Sequence, residues 1–210
     1  MIKVLIADDH AVVRQGLKQI LSEQPDMNVL GEAGSIPELL DHVRKQKWDI
    51  VVLDISMPGR GGLDGLKELK QEQPKLPVLI LSIHPEDQFA VRALKAGASG
   101  YLTKDSAPEE LVQAIRKLLA GRKYIGPELA EKLATDLEAN SAKARHETLS
   151  DREFQILRLI ASGKSVTEIA QKLSLSVKTV STYRARILEK MNMRTNAELM
   201  HYAIKHNLAD

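Results

Sequence analysis

Residues 49–59 read Asp49-Ile50-Val51-Val52-Leu53-Asp54-Ile55-Ser56-Met57-Pro58-Gly59, a short β-rich apolar run that ends on a carboxylate and meets a proline–glycine turn. A run of this kind without polar alternation is what a strand covered on both faces looks like, and such strands belong to parallel sheets with helices on either side. The strand is placed at Asp49–Leu53, and Met57-Pro58-Gly59, by turning the chain sharply, is expected to leave the Asp54 side chain exposed.

Working outward, four more runs have the same character: Lys3–Ala7, Asn28–Ala33, Val78–Leu81 and Gly100–Leu102. Helical spacing fills the intervals. Val13, Leu17, Ile20 and Leu21 share one face, as do Leu39, Leu40 and Val43, and a further helix from about Glu86 to Ala96 meets Gly97, a natural C-terminal stop. The last helix opens on Ser106-Ala107-Pro108-Glu109, a capping-box pattern with proline in the first turn, and buries Leu111, Ile115 and Leu118. Residues 1–120 are therefore expected to form an α/β, doubly wound (βα)5 parallel sheet.

The pattern changes after Gly121. Residues 121–147 read as a linker, with one isolated helix from Pro127 to about Glu138 and a small, polar stretch from Asn140 to Glu147. Residues 148–210 contain no strand signal, and Ser150-Asp151-Arg152-Glu153, Ser165-Val166-Thr167-Glu168 and Thr195-Asn196-Ala197-Glu198 each have the form that caps a helix start. With another helix from about Ser176 to Met191, this is an all-α domain of four helices. It carries 10 basic and 6 acidic residues, against 15 and 17 in residues 1–120, so a polyanion partner is expected at this end. The absence of cysteine excludes disulfides and thiolate metal sites. No apolar run approaches the roughly 18 residues of a membrane span, and the opening run stops at Asp8, which points to a soluble, cytoplasmic protein.

In an open parallel sheet, chemistry sits beyond the carboxyl ends of the strands. Those ends offer Asp8 and Asp9, then Asp54, Ser82 and Lys104. Any one alone is a turn residue or a helix cap; five on one rim are a site. Three close carboxylates must hold protons or bind a cation. With only oxygen donors expected, and no histidine or cysteine at ligand spacing, the cation is read as Mg²⁺. Asp54 is the expected nucleophile, Lys104 the point charge for phosphoryl oxygens and Ser82 a hydroxyl donor. An enzyme working through an aspartyl-phosphate would need a second carboxylate as general acid, and Asp54-Ile55-Ser56 supplies none. A mere interaction platform would not need all five groups.

Residues 1–120 resemble a response-regulator receiver domain, through the acidic pair, the Asp-x-x-Met-Pro loop, the switch hydroxyl and the lysine. The resemblance implies a two-component protein phosphorylated on Asp54 by a sensor histidine kinase, with no chemistry beyond its own phosphorylation and dephosphorylation. It implies Asp9, Asp54 and the Ser56 carbonyl as Mg²⁺ ligands and Asp8 as a ligand through water. Ser82 then matches the switch hydroxyl, and Tyr101, three before Lys104, the aromatic that swings inward, where the plainer reading is a surface tyrosine. Asp105 stands where many receivers have proline, which puts in doubt the cis peptide often found there.

Residues 148–208 resemble the helix-turn-helix domain of NarL/FixJ-type regulators, also called the LuxR type. The likeness rests on Leu149-Ser150-Asp151-Arg152-Glu153, Ile160-Ala161-Ser162-Gly163-Lys164-Ser165, Glu168-Ile169-Ala170, Leu173-Ser174-Leu175-Ser176 and Lys178-Thr179-Val180. The stretch Thr179 to Ile187 looks closest to the GacA/UvrY branch. The resemblance implies double-stranded DNA as partner and a homodimer on DNA, with Leu199, Tyr202 and Ala203 of the last helix in dimerisation or, on the plainer reading, in the domain's core. Placed at 100° steps, Val180, Tyr183, Ile187 and Met191 face inward, while Lys178, Thr182, Ala185 and Glu189 face outward with Ser181 and Arg186 at the margins. Lys178, Thr179, Ser181, Thr182, Ala185 and Arg186 are thus the expected DNA-contacting set, and Arg184 is expected to reach sideways to a phosphate or pair with an acid. The whole reads as a transcription factor switched by phosphorylation of Asp54.

Overall fold

Five parallel strands in the order β2-β1-β3-β4-β5 form the sheet of the computed structural model. The structure describes residues 1–57, 62–83, 88–126, 129–131, 145–206 and 208. The strands are β1 Ile2–Ala7, β2 Met27–Ala33, β3 Ile50–Asp54, β4 Val78–Ser82 and β5 Gly100–Thr103. They alternate with α1 Ala11–Ser22, α2 Ile36–Lys45, α3 Gly62–Glu72, α4 Gln88–Lys95 and α5 Ala107–Leu119. Helices α1 and α5 pack together, and α3 packs on both α2 and α4. Successive strand residues point to opposite faces, so Val4, Ile6, Ile50, Val52, Leu79 and Leu81 join Leu17, Leu21, Leu111 and Ile115 in one core. Leu5, Val51, Leu53 and Ile80, next to them in sequence, are equally buried. Burial on both faces explains why the strands lack polar alternation.

The (βα)5 pattern requires a helix after the third strand, and α3 supplies it, burying Leu63, Leu66 and Leu69. Its signal is muted by Gly65, whose place in the packing is tight: a Cβ there would stand 2.4 Å from Ile36 Cδ1 of α2. The start of α5 departs from expectation. Ser106 has helical backbone angles (φ −86°, ψ −9°) and caps nothing with its side chain. Its carbonyl takes the Glu109 and Glu110 amides at 3.2 and 3.0 Å, and its hydroxyl lies 2.6 Å from Thr103 Oγ1. Beyond α5 the chain returns along β5. Tyr124 bridges Gly100 in parallel, donating from its amide to Ser99 O at 3.3 Å and accepting from the Tyr101 amide at 3.0 Å. A Cβ on Gly100 would stand 2.8 Å from Tyr124 O.

The chain divides into two units, Met1–Ala139 and Asn140–Asp210. Most of the helix expected from Pro127 to Glu138 lies outside the described residues, of which Leu129, Ala130 and Glu131 are helical. Across the boundary expected between linker and second domain, Arg145–Thr148 form a 3₁₀ turn. His146 is buried there, with Nδ1 2.9 Å from the Tyr202 hydroxyl oxygen and its ring against Phe154 and His206. Four helices follow: α6 Asp151–Ala161, α7 Val166–Lys172, α8 Val177–Met191 and α9 Asn196–Lys205. Both Ser150 and Ser165 form complete capping boxes with Glu153 and Glu168. At α9 the box is shifted: Thr195 Oγ1 accepts the Glu198 amide at 3.2 Å, but Glu198 reaches the Arg194 amide at 2.9 Å.

Glu153 does more than cap. It is buried, accepts Ser150 N and Oγ at 2.8 and 2.9 Å, and receives Lys190 Nζ of α8 at 2.7 Å, so the start of α6 is tied to the end of α8. Burial would raise its pKa, but the Lys190 ammonium and the Ser150 donors outweigh that and hold it below the ordinary value of 4.5. An acid with a depressed folded pKa contributes stability above its unfolded pKa and loses it as pH falls through the folded value. Urea unfolding of residues 140–210, followed by far-UV circular dichroism at pH 7 and below pH 4.5, should show an acid-side loss that Glu153→Gln diminishes. At pH 7, Glu153→Ala should cost about 1–3 kcal/mol, the penalty for stranding buried donors.

Candidate functional site

The strand order brings the carboxyl ends of β1 and β3 side by side, at the point where successive connections leave the sheet in opposite directions. Asp54 is the last paired residue of β3, opposite Leu81, rather than the first beyond it. Contrary to the expectation of an exposed side chain, it is 1% exposed. Strand pairing holds it under the rim, and the turn that follows folds back so that Ser56 N donates to Asp54 Oδ1 at 2.9 Å. Pro58 and Gly59 lie outside the described residues.

Asp8, also 1% exposed, faces Asp54 across the ammonium of Lys104, whose Nζ lies 2.7 Å from Asp8 Oδ2 and 3.0 Å from Asp54 Oδ2. Arg14 fixes the Asp8 backbone, donating to its carbonyl at 2.7 Å while its Nε reaches Glu32 at 3.3 Å; spacing gave no warning of this role. Burial pushes the Asp54 carboxyl above the usual carboxylate range and the Asp8 charge adds to that, while Lys104 and the Ser56 amide pull it partly back. Burial works against the Lys104 charge, but Asp54 and Asp8 outweigh it and raise its pKa.

Asp9 lies at the mouth of the group, and His10 lies there with it. No histidine was expected at ligand spacing, and this is a correction. The His10 amide donates to Asp8 Oδ1 at 2.8 Å, and this tight turn folds the ring back, leaving Nδ1 3.0 Å from Asp9 Oδ1 and 3.2 Å from Asp8 Oδ1. One ligand atom from each of Asp8, Asp9, His10 and Asp54 lies within 4.8 Å of the others, a set able to chelate a divalent metal ion. Asp8 Oδ2 is buried against the Lys104 ammonium at 2.7 Å, so the group carries more carboxylate charge than that one cation answers.

Ser82 and Tyr101 are fully buried on the neighbouring strands, so Tyr101 is no surface tyrosine. Ser82 pairs with Thr103, and its carbonyl accepts the Lys104 amide at 2.7 Å, tying the ends of β4 and β5 together. No cis peptide occurs among the described residues, Lys104–Asp105 included.

Residues 4–116 match the family model of the response regulator receiver domain, and residues 147–203 that of bacterial regulatory proteins of the luxR family. The chain belongs to the two-component response regulators. It is 41% identical to the response regulator GacA of Pseudomonas aeruginosa, an alignment covering 100% of this chain and 99% of the relative. Identity to the response regulator UvrY of Escherichia coli K12 is 37%, covering 100% and 97%. Among solved structures, the Salmonella typhimurium RcsB response regulator, described for its conformational dynamism in DNA interaction, superposes with a TM-score of 0.67 at 30% identity over 96% of both chains. A regulator of this architecture carries out chemistry only on itself, by gaining and losing a phosphoryl group. No helix among the described residues is long and apolar enough to cross a membrane.

In the regulator's second unit, α7 and α8 are joined by Leu173-Ser174-Leu175, with Ser174 in the left-handed region at φ +52° and Ser176 capping α8 through the Thr179 amide at 3.0 Å. Val180, Ile187 and Met191 are buried; Lys178, Ser181, Thr182, Ala185 and Arg186 are exposed and Thr179 half-exposed. Lys178, Thr179, Thr182, Tyr183 and Arg186 line one surface hollow of about 320 Å³. Arg184 pairs with an amide rather than an acid, Nε reaching Asn196 Oδ1 at 2.6 Å. Leu199 and Ala203 are fully buried in their own domain and Tyr202 is half-buried, whereas Ile204 on the same helix is 63% exposed.

An acid whose folded pKa is raised destabilises the fold once ionised, a loss that begins as pH rises past its unfolded pKa and is complete above the folded one. Asp54→Asn should therefore raise the thermal midpoint of the first unit at pH 7 without divalent ions, and should reduce the further gain on adding Mg²⁺. Calorimetry of both proteins with and without Mg²⁺ measures this; equal midpoints would contradict the electrostatic account.

Proposed function

We propose that this regulator is a DNA-binding transcription factor whose activity is set by a phosphoryl group on Asp54. The observation that carries this reading is the Lys104 ammonium between the Asp8 and Asp54 carboxylates at the β1/β3 rim. Asp54 is the nucleophile. Mg²⁺ is the resident cation, held by Asp9, Asp54 and the Ser56 carbonyl, with Asp8 acting through water; bound there, it neutralises the charge of the arriving phosphoryl group. Lys104 then exchanges part of its pairing with Asp54 for the phosphoryl oxygens, Ser82 donates its hydroxyl to them, and Tyr101 responds from its buried position. The phosphoryl donor is a sensor histidine kinase, and the protein acts in the cytoplasm.

The DNA contacts are made by α8, through Lys178, Thr179, Ser181, Thr182, Ala185 and Arg186. Its outward face is small and polar near the N-terminus, which suits a major groove about 12 Å wide. Arg184, held against Asn196, reaches phosphate from the side. The protein binds as a homodimer to double-stranded DNA; Leu199 and Ala203 are taken up by their own domain's core, so α9 contributes through the face that leaves Tyr202 half-buried and Ile204 exposed. The division of labour is thus between a receiver ending near residue 120 and a DNA-binding domain starting near residue 148.

Acetyl phosphate and Mg²⁺ should yield a phosphoryl adduct by intact-mass spectrometry in the wild type and none in Asp54→Asn, which keeps the shape but not the nucleophile; an adduct of equal yield in the variant would move the acceptor elsewhere. For the DNA unit, binding of residues 140–210 to a selected operator and to scrambled duplex should be measured at several salt concentrations. Lys178→Ala and Thr182→Ala should cost about 1–3 kcal/mol of discrimination each, whereas Arg186→Ala should weaken both duplexes and lower the salt slope by about one. The opposite division would reverse the assigned faces of α8.

A further inference from the structure

We infer that His10 is a nitrogen ligand of the cation site, so that the site holds first-row transition ions such as Mn²⁺ through His10 while taking Mg²⁺ through oxygen alone. This rests on the reading of the rim as a cation site. Around an octahedral ion with donors at about 2.1 Å, neighbouring donors stand about 3 Å apart and opposite ones about 4.2 Å. His10 Nδ1 is 3.0 Å from Asp9 Oδ1 and 3.2 Å from Asp8 Oδ1. All four ligand atoms, Asp54 included, lie within 4.8 Å of one another. Two carboxylate oxygens and a ring nitrogen converge this closely around a hydrogen on Nδ1 or around a metal that takes that hydrogen's place. The ring is anchored by its own backbone, through the amide bond to Asp8 Oδ1 at 2.8 Å. It is also open to solvent, with 64% of the side chain exposed, so an ion can approach it directly.

The consequence is selectivity. Mg²⁺ keeps its waters and gains little from imidazole, whereas affinity for nitrogen-containing sites rises from Mn²⁺ along the first row. Outer-shell changes already cost about 10–100-fold in metal affinity, so losing a ligand should cost about tenfold or more.

The test uses the full chain as wild type and as His10→Ala. Calorimetric titration with Mg²⁺ and with Mn²⁺ gives the affinities, and pulsed electron paramagnetic resonance of the Mn²⁺-loaded protein reads directly coordinated nitrogen. Nitrogen modulation in the wild type that vanishes in His10→Ala, with Mn²⁺ weakened about tenfold and Mg²⁺ unchanged, is the expected result. Mn²⁺ bound without nitrogen modulation, or modulation that survives in His10→Ala, overturns the role of His10 and leaves the Mg²⁺ reading standing. A wild type that binds neither ion overturns both.

Discussion

Two buried carboxylates share one ammonium in this protein, and most of the first unit can be understood as the frame that makes so costly an arrangement possible. Ionised groups leave water only when a counter-charge is held in place for them. Here Lys104 is held at both ends of its strand: its amide is bonded to Ser82 O, and the segment after α5 pairs with Gly100 and Tyr101. Asp54 is held by strand pairing and the Ser56 amide, and Asp8 by Arg14 and the His10 amide. One positive charge against two negative ones leaves a deficit at the rim, with Asp9 adding to it. The site is built to be incomplete, and a cation or a phosphoryl group acts on an electrostatic balance that the fold deliberately leaves unclosed.

Much of this was legible in the amino-acid sequence because strand burial and helical spacing leave strong periodic marks. The five strands and the polar groups at the ends of four of them follow from apolar runs and the residues that stop them. What was not legible came from side chains whose roles are set by neighbours distant in sequence or by backbone angles. Asp54 reads as exposed because a turn follows it, yet β1 and β4 close over it. Ser106 has the residue pattern of a cap but the backbone of a helix, so its carbonyl does the work its hydroxyl was expected to do. His10 sits beside two aspartates in plain sight, but only a turn bonded through Asp8 Oδ1 brings its ring back among them.

The second unit shows the reverse balance, with local chemistry deciding nearly everything. Serine caps set the starts of three of its helices and threonine that of the fourth, and those starts fix the phase of α8, hence which side chains face outward. Ser174 accepts a left-handed backbone, unusual for a residue with a Cβ, so that α7 can end and α8 begin with four residues between them. His146 escapes such reasoning, since nothing in a polar stretch announces a ring buried against Phe154, Tyr202 and His206.

The segment that returns along β5 has a consequence of another kind. A parallel sheet has two open edges, and an open edge is a template on which another chain can add a strand and begin to polymerise. At β5 the Tyr124 segment already occupies the amide and carbonyl groups of Ser99 and Tyr101 that an incoming chain would need. At β2, the far edge, the register slips so that Leu30 is an extra residue opposite the Val4–Leu5 step, and such a bulge bends an edge away from flat pairing. Both margins are thereby poorer templates for strand addition. Self-association of this unit is steered toward its helical flanks and away from the backbone ladder.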